Sequence, residues 1–346
     1  MVFPERAPSV PARPAQASAG TAGPQARFDR AGRLRVRSPR REASADPYWR
    51  LRLVQQSKLT YDPAARFEVG STEVVYRDDG RTPLPMTVFS PRHDAPGAGG
   101  PFPALVRVHG GAWNVGDRAG NERIDRALAE CGMVVAAIEF RRAPDHPYPA
   151  QVQDTNYAVR WLKLHADDFG IDPACFGGAG DSSGGHTMML NAMRPDDPAY
   201  AALPLDGGEG VDASVAYVIA ICSVLDPYTR YFYDRSDGTP ERAKRAEAYF
   251  LTTAAMKQAN PQMILERGEP VRLPPVLIIQ GDTDDNIPNN VPLMFEESYT
   301  AAGGSVQLEW FPGMAHQFAR QAGPESDRAI EIMRSFIARQ IGAWAA

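Results

Sequence analysis

The stretch Gly180-Asp181-Ser182-Ser183-Gly184-Gly185-His186 places a serine between glycines where a strand is predicted to turn into a helix. Residues 174–179 before it are small and apolar, which indicates a short buried strand, and residues 187–190 begin a helical run. A sharp elbow of this kind strains the serine backbone, and flanking glycines let strand and helix approach without Cβ clashes. A chain with 30 glycines also produces this pattern by chance. An ordinary glycine-rich turn therefore stays open until partner residues are found.

The composition is that of a globular α/β protein. With 346 residues, 43% hydrophobic and 23% charged, the chain suffices for one large domain or two small ones. No apolar run approaches the roughly 20 residues of a membrane-spanning helix, and the N-terminus lacks a secretory signal, so we expect a cytoplasmic protein. The net charge of -5 argues against nucleic-acid binding. The three cysteines, Cys131, Cys175 and Cys222, lack metal-ligand spacing and are expected to be buried thiols.

Residues 1–45 differ from the rest of the chain. They contain nine arginines and three acidic residues among many prolines, alanines and glycines. Such a segment buries too little apolar surface to order itself, so we predict a disordered tail followed by one domain over residues 46–346. The alternation at residues 33–37 leaves open one short strand in an arm that packs on a neighbouring subunit or an acidic surface.

From residue 67 onward, strands and helices alternate. The predicted strands are 67–76, 84–89, 104–108, 133–138, 174–179, 215–222, 276–279 and 306–311, and the main helices are 122–130, 150–166 and 329–344. The first two strands flank a turn signal and form an antiparallel pair at the sheet edge. Apolar strands separated by helices predict a mostly parallel sheet covered on both faces. Residues 226–270 are helical, charged and longer than a crossover requires, which indicates an inserted cap.

Four segments with chemical potential follow predicted strands, where open parallel sheets bind ligands. They are the elbow, residues 109–113, residues 281–288 and residues 313–318. The sequence His109-Gly110-Gly111-Ala112-Trp113 has consecutive small residues that can turn backbone N–H groups toward one point, as an oxyanion hole requires. The N–H of Ser183, one residue past the serine, completes such a hole.

Serine, acid and histidine occur in the chain order expected for this architecture. The serine is Ser182 and the histidine is His316, while residues 281–288 offer three carboxylates, Asp282, Asp284 and Asp285. A serine hydroxyl becomes a strong nucleophile when an imidazole takes its proton, and the imidazole needs a carboxylate to fix its tautomer. The residues alone leave the choice among the three carboxylates open.

From about residue 67 to the C-terminus, the chain resembles an α/β-hydrolase of the hormone-sensitive-lipase and carboxylesterase group, particularly its bacterial feruloyl-esterase-like or prolyl-oligopeptidase-like branch. The resemblance rests on residues 109–113, residues 142–150, the elbow and residues 313–318. It implies an α/β-hydrolase fold with a helical cap insertion at about 226–270. The functional residues that it implies are Ser182 as nucleophile, His316 as base, Asp284 as acid, and Gly110, Gly111, Ala112 and Ser183 around the oxyanion hole.

Two departures from this pattern concern the substrate and the mechanism. Where the lipase group has a third glycine, this chain has Ala112 followed by Trp113, which also resembles arylformamidases. Ser183 stands where alanine is more common; its backbone donor is intact, and we expect little mechanistic change.

The expected function is a serine carboxylesterase that hydrolyses small acyl or aryl esters, with no cofactor, no metal and no membrane partner. The first alternative is an arylformamidase-type amide hydrolase that uses the same triad. The second is a non-catalytic ligand receptor, which is disfavoured because such proteins usually have a replaced triad residue. A homodimer is compatible with the predicted edge strands.

Other residues near these segments are expected to contact the substrate or to pack around the site. Residues expected to contact the substrate are Trp113, Asp181, Tyr228 and Phe232. His109 is expected to hold the oxyanion segment, and His186 to cap or pack the helix after the elbow, because that helix carries it away from Ser182.

Overall fold

The structure is a computed structural model that describes residues 59–92, 101–236 and 239–345. It also describes the backbone of two short strands, β1 (Arg27–Phe28) and β2 (Leu34–Arg35), which pair antiparallel. Strand β2 falls within the alternating segment 33–37. The predicted disorder of residues 1–45 concerns a segment that otherwise lies outside the described residues.

Within the described ranges, the main sheet has eight strands in the order β10-β9-β8-β7-β5-β6-β4-β3. Their bounds are β3 (Val69–Arg77), β4 (Leu84–Pro91), β5 (Phe102–Val108), β6 (Val134–Ile138), β7 (Ile171–Asp181), β8 (Val218–Ile221), β9 (Val276–Gly281) and β10 (Val306–Phe311). Strands β5 to β10 run parallel to one another, whereas β4 pairs antiparallel with both β6 and β3 and so forms an antiparallel edge. This confirms the predicted sheet and its edge.

Helices cover both faces of the sheet. The helices are α1 (Glu122–Ala129), α2 (Ala150–Leu164), α3 (Ser183–Met193), α4 (Pro227–Ser236), α5 (Pro240–Phe250), α6 (Thr253–Gln258), α7 (Pro261–Glu266), α8 (Asn290–Ala301) and α9 (Pro324–Ala345). Val106 of β5 packs in the cluster that contains α2, α3 and α8 residues, whereas Leu105 packs in the cluster of α1 and α9. Alternate side chains of a strand point to opposite faces, so a doubly covered strand is buried along its whole length.

Helices α4 to α7 lie between β8 and β9 and occupy most of the segment that the sequence predicted as a cap. We call these four helices the helical insertion. Strand β8 is shorter than predicted and ends at Ile221, because the next residue, Cys222, has a φ of 42° that does not continue a strand. None of the helices described here has the length and apolar character that crossing a bilayer requires.

The strand register brings the predicted functional segments to one edge of the sheet. Val108 pairs with Gly180, Ile221 pairs with Ile279, and Gly281 pairs with Phe311. The loops that follow β5, β7, β8, β9 and β10 therefore begin at similar heights, since the strands are parallel.

Candidate active site

Ser182 occupies a strained turn between β7 and α3. Its φ of 51° and ψ of -121° lie outside the regions that ordinary residues adopt, and it is 3% exposed. A Cβ on Gly180 would lie 2.4 Å from the Gly184 carbonyl, and a Cβ on Gly184 would lie 2.2 Å from the Val108 oxygen. Gly180 and Gly184 of the elbow (residues 180–184) are thus required sterically, as predicted. An ordinary glycine-rich turn would not explain the strained backbone of Ser182.

A continuous chain of hydrogen bonds links Ser182, His316 and Asp284. His316 Nε2 lies 3.1 Å from Ser182 Oγ, and His316 Nδ1 lies 2.8 Å from Asp284 Oδ2. An ionised carboxylate only accepts, so we assign the ring proton to Nδ1, which leaves the Nε2 lone pair to accept from the Ser182 hydroxyl. This is the orientation in which an imidazole serves as general base.

Asp284 is held in place by its own loop. Its Oδ1 accepts from the N–H groups of Asn286 at 2.8 Å and Ile287 at 3.0 Å, and Oδ2 accepts from Gln280 Nε2 at 2.9 Å. Burial acts to raise the pKa of Asp284, but the His316 hydrogen bond and charge together with the two N–H donors outweigh it and hold the pKa below its usual range. Asp284 therefore stays ionised beside His316.

The other two carboxylates of the acid loop (residues 282–288) face elsewhere. Asp282 is exposed and its Oδ1 accepts from the Gly313 N–H at 2.6 Å. Asp285 is also exposed and lies 3.6 Å from Arg242 Nη1. Of the three carboxylates that the sequence offered, Asp284 is the one bonded to His316.

The oxyanion loop (residues 109–113) packs directly on the elbow, and its glycines have separate roles. The Gly110 N–H donates to Asp181 Oδ2 at 3.2 Å, so Gly110 supports the loop and supplies no oxyanion donor, which corrects its predicted place. In the described part of the chain, the N–H groups of Gly111, Ala112 and Ser183 donate no hydrogen bond. These three donors are available to a ligand.

Trp113 anchors the oxyanion loop and does not line a pocket. It is 1% exposed, its N–H donates to Ser183 Oγ at 3.1 Å, and its ring stacks on Tyr249 of α5 at 5.0 Å. Its carbonyl accepts from Gln151 Nε2 at 2.6 Å. This burial corrects the prediction that Trp113 contacts the substrate. The Ser183 hydroxyl, for which no role was predicted, satisfies a backbone donor in a loop with positive φ at Ala112 and Trp113.

Asp181 is a buried junction below the site. It is 1% exposed, and its carboxylate accepts from Gly110, from Asn121 Nδ2 at 2.7 Å and from Arg320 Nη2, while Arg107 Nη2 lies 3.7 Å away. Burial acts to raise the pKa of Asp181, but Arg320, Arg107 and Asn121 outweigh it and lower the pKa. The carboxylate is out of reach of a substrate, so the predicted substrate contact is corrected.

Tyr228 and Phe232 lie on α4 of the helical insertion. Their ring centroids are 4.8 Å apart, Tyr228 is half-buried and Phe232 is 46% exposed. Lys257 Nζ lies 4.6 Å from the Tyr228 ring centroid. Their exposed edges are open to a ligand, and their contact with substrate stays a prediction.

Cys222, Asp284 and His316 form a cluster of potential metal ligands. One donor atom of each lies within 4.8 Å of the others. Burial, followed by the charge of Asp284, raises the pKa of the Cys222 thiol to about 12, so the thiol keeps its proton at neutral pH. A metal ion here would also have to displace the bond between Asp284 and His316, and we therefore assign Asp284 and His316 to the hydrogen-bonded chain with Ser182.

His109 and His186 both have packing positions, as the sequence indicated. The His109 ring is 2% exposed and stacks on Phe140 at 4.2 Å. His186 Nδ1 accepts from Trp113 Nε1 at 3.2 Å, and His186 Nε2 lies 2.7 Å from the Ala259 carbonyl. A neutral ring with its proton on Nε2 satisfies both bonds, so His186 connects the oxyanion loop to the helical insertion.

We expect replacement of His186 by glutamine to weaken the decrease in the free energy of unfolding between pH 7 and 4. Burial lowers the pKa of His186 from 6.5 to about 4. As pH falls, the unfolded chain therefore protonates His186 before the folded chain does. The contribution of neutral His186 to the free energy of unfolding is complete above pH 6.5 and is lost as pH falls toward 4. The lost contribution is about 3 kcal/mol. Urea unfolding of the parent and His186→Gln between pH 7 and 4 measures this difference.

The matched control is His146→Gln, which changes a half-buried histidine in a turn. It is measured at the same pH values, so that the loss of one histidine can be compared with the loss at position 186. Parallel curves for the parent and His186→Gln would contradict a buried neutral ring at position 186.

Sequence reasoning missed the second layer of contacts around the site, although two signals were present. Arg107 is a charged residue inside an apolar strand, and Gln280 is a polar residue near the end of another. Both side chains are 1% exposed. A polar group within a doubly covered strand requires a buried partner. Gln280 donates to Asp284, and Arg107 forms ion pairs with Asp181 at 3.7 Å and Asp125 at 3.8 Å.

Comparisons with known proteins identify the family of the chain. The BD-FAE family model matches residues 93–298. The chain is 35% identical over 276 residues to Esterase LipC of Mycobacterium tuberculosis, covering 76% of this chain and 64% of that protein. It is 35% identical over 264 residues to Carboxylesterase NlhH of the same species, covering 70% of this chain and 74% of that protein.

Among solved structures, esterase B from Lactobacillus rhamnosis aligns with a TM-score of 0.67 and 22% identity, covering 81% of this chain and 91% of that one. At this identity the likeness shows the fold. The first three curated relatives are matched over 64%, 43% and 66% of their own lengths, so the chain spans less than two thirds of each.

Proposed function

Because the chain belongs to the BD-FAE family, in the hormone-sensitive-lipase and carboxylesterase group of α/β-hydrolases, we propose that it is a serine carboxylesterase acting on small acyl or aryl esters. The observation that carries the proposal is the unbroken hydrogen-bonded chain from Ser182 through His316 to Asp284. The names of the relatives, LipC and NlhH, support ester hydrolysis as the reaction class.

In the acylation step, His316 Nε2 takes the hydroxyl proton of Ser182 as Oγ attacks the ester carbonyl. The carbonyl π electrons move onto its oxygen, and the N–H groups of Gly111, Ala112 and Ser183 bind the oxyanion. The imidazolium is stabilised by ionised Asp284 and returns its proton to the departing alcohol oxygen. The products are an acyl group on Ser182 and a free alcohol.

In the deacylation step, water occupies the place of the alcohol. His316 takes a proton from the water, the hydroxide oxygen attacks the acyl carbonyl, and the bond to Ser182 Oγ breaks as His316 returns the proton to Oγ. Every proton is moved by groups of this chain, so the proposed reaction is written with no cofactor or metal.

An arylformamidase-type amide hydrolase is the second candidate. It is favoured by Ala112 and Trp113, which stand where the lipase group has a third glycine and which resemble arylformamidases. Both residues have positive φ, 50° and 66°, so the loop makes its turn without that glycine. The chemistry is the same except that His316 protonates a leaving amine. The two reactions are therefore distinguished by substrate and not by the triad.

We expect kcat/KM for p-nitrophenyl acetate or butyrate to exceed kcat/KM for N-formylkynurenine. The measurement is steady-state kinetics on one preparation with acyl esters of increasing length, aryl esters and formamides. A higher kcat/KM for the formamide would reverse the assignment and select the amide hydrolase.

The receptor alternative is tested by a fluorophosphonate probe, which forms a covalent bond to an activated serine. Labelling of folded protein at Ser182, mapped by mass spectrometry, is expected; absence of labelling would favour a receptor. Residence in the cytoplasm and assembly into a homodimer stay predictions from the sequence.

A further inference from the structure

One arginine of the helical insertion contacts the acid loop. Arg230 on α4 is 1% exposed, and its Nε donates to Asn286 Oδ1 at 2.7 Å. The N–H of the same Asn286 donates to Asp284 Oδ1 at 2.8 Å. Two consecutive hydrogen bonds therefore lead from the insertion to the carboxylate that orients His316.

The same arginine also touches the oxyanion loop. The guanidinium carbon of Arg230 lies 5.8 Å from the centroid of the Trp113 ring, within the range of a cation–π contact. Trp113 is the residue after Ala112, one of the three available N–H donors. Arg230 thus contacts two loops that come from opposite sides of the nucleophile's strand, since β5 and β9 lie on either side of β7 in the sheet.

A buried carboxylate holds Arg230 in this position. Asp234 Oδ2, one helical turn along α4, lies 3.6 Å from Arg230 Nη2, and Asp234 Oδ1 accepts from Arg242 Nε at 2.8 Å. Arg242 Nη2 in turn donates to the Asp285 carbonyl of the acid loop at 2.9 Å. Arg230 and Asp234 are both buried, and breaking such a pair leaves an uncompensated charge, so the pair resists displacement.

We propose that Arg230 is a positioning residue that fixes the acid loop, and with it Asp284, relative to the oxyanion loop. The helical insertion then holds the reacting groups in register in addition to covering them. This inference rests on the proposed esterase function, because the effect of misplaced groups is read out in hydrolysis. Arg230 acts through Asn286 and Trp113 and does not touch the substrate.

Replacement of Arg230 by glutamine is expected to lower kcat by about 10- to 100-fold, the range expected when reacting groups shift by up to about 1 Å. The loss should be the same for p-nitrophenyl acetate and butyrate, with KM unchanged, because orientation and not substrate contact is lost. Asn286→Ala removes the acceptor from the other side, at a half-buried position, and should give a loss of similar size. The double variant should be no worse than the poorer single variant.

The matched control is Arg235→Gln, five residues further along α4. Arg235 is exposed and donates to the Tyr231 hydroxyl, so the variant removes the same charge from the same helix without touching either loop. It should keep the kcat of the parent. Thermal unfolding of all variants separates a loss of orientation from a loss of folded protein.

A readout independent of turnover is the low-field proton NMR signal of His316 Nδ1–H, assigned by its loss in Asp284→Asn. It should be lost or shifted in Arg230→Gln and Asn286→Ala, and kept in Arg235→Gln. Full kcat in both Arg230→Gln and Asn286→Ala, or a KM change that varies with acyl length, would overturn the inference. A parent chain that hydrolyses no ester would instead remove the proposed function, and the NMR signal would still test Arg230.

Discussion

Replacement of Ser182 by alanine is expected to reduce kcat for p-nitrophenyl acetate or butyrate by about 10⁶-fold, the size of effect found when the nucleophile of a triad is removed. The alanine keeps the elbow backbone but has no oxygen to attack the carbonyl. The remaining N–H donors and His316 then leave only the residual rate that an oxyanion hole supplies. Steady-state kinetics measure the turnover, and a fluorophosphonate probe measures labelling of the serine. Turnover and labelling should be lost together.

Ser183→Ala is the matched control, because it removes a hydroxyl one residue away and keeps the backbone N–H. It deletes the acceptor of the Trp113 N–H, a single hydrogen bond, so the loss in kcat should not exceed about 10-fold. Circular dichroism confirms that each variant is folded. A Ser182→Ala variant with the parent's activity would remove Ser182 from the mechanism and the triad with it.

The sheet and the order of the site could be read from the sequence because they depend on local patterns. Apolar runs of strand length alternate with helices, and the residues after each run sit at the carboxyl edge of a parallel sheet whatever the side chains do. Ser182 and His316 follow from that rule. The confirmed fold rests on the same patterns. Glycine is needed at 180 and 184 because a Cβ there would clash with the backbone of Gly184 and of Val108, respectively.

The contacts that a pattern cannot supply are those between residues far apart in the chain. Asp181 comes just after the predicted apolar strand, where ligand-binding residues are expected. Its carboxylate is instead buried and forms ion pairs with Arg107 and Arg320. Gly110 looks like an oxyanion donor until Asp181 accepts its N–H. Arg230 and Asn286 are 56 positions apart, and nothing in either local sequence indicates their bond. Each is decided by tertiary packing.

The choice among three acidic residues shows the same limit at closer range. Asp282, Asp284 and Asp285 lie within four residues on one loop, so spacing cannot rank them. The backbone decides, because the N–H groups of Asn286 and Ile287 turn toward Asp284 and aim its other oxygen at His316. The resemblance to known hydrolases selected Asp284, and the loop geometry gives a physical reason for it.

Replacement of Asp284 by asparagine is therefore expected to reduce kcat by about 10⁴-fold, whereas Asp282→Asn and Asp285→Asn should keep most of it. An asparagine amide group that faces His316 donates to Nδ1 and leaves the proton on Nε2. Nε2 then cannot accept the Ser182 proton. Asp282 and Asp285 are exposed and bonded to Gly313 and Arg242, so the same change there leaves the imidazole oriented. The three variants differ from the parent by the same charge, which makes turnover at neutral pH a direct comparison.

The structure also predicts how Asp284→Asn should fail. Folding should be retained, because asparagine has nearly the shape of aspartate and still accepts from Asn286 and Ile287 at Oδ1. KM should change little, since no substrate contact is lost, and the deficit should appear in kcat and in the rate of fluorophosphonate labelling. Equal losses in all three variants would mean that His316 is oriented by the charge of the loop as a whole. A deficit confined to Asp284 would mean that one hydrogen bond, 2.8 Å long, sets the tautomer on which the proposed reaction depends.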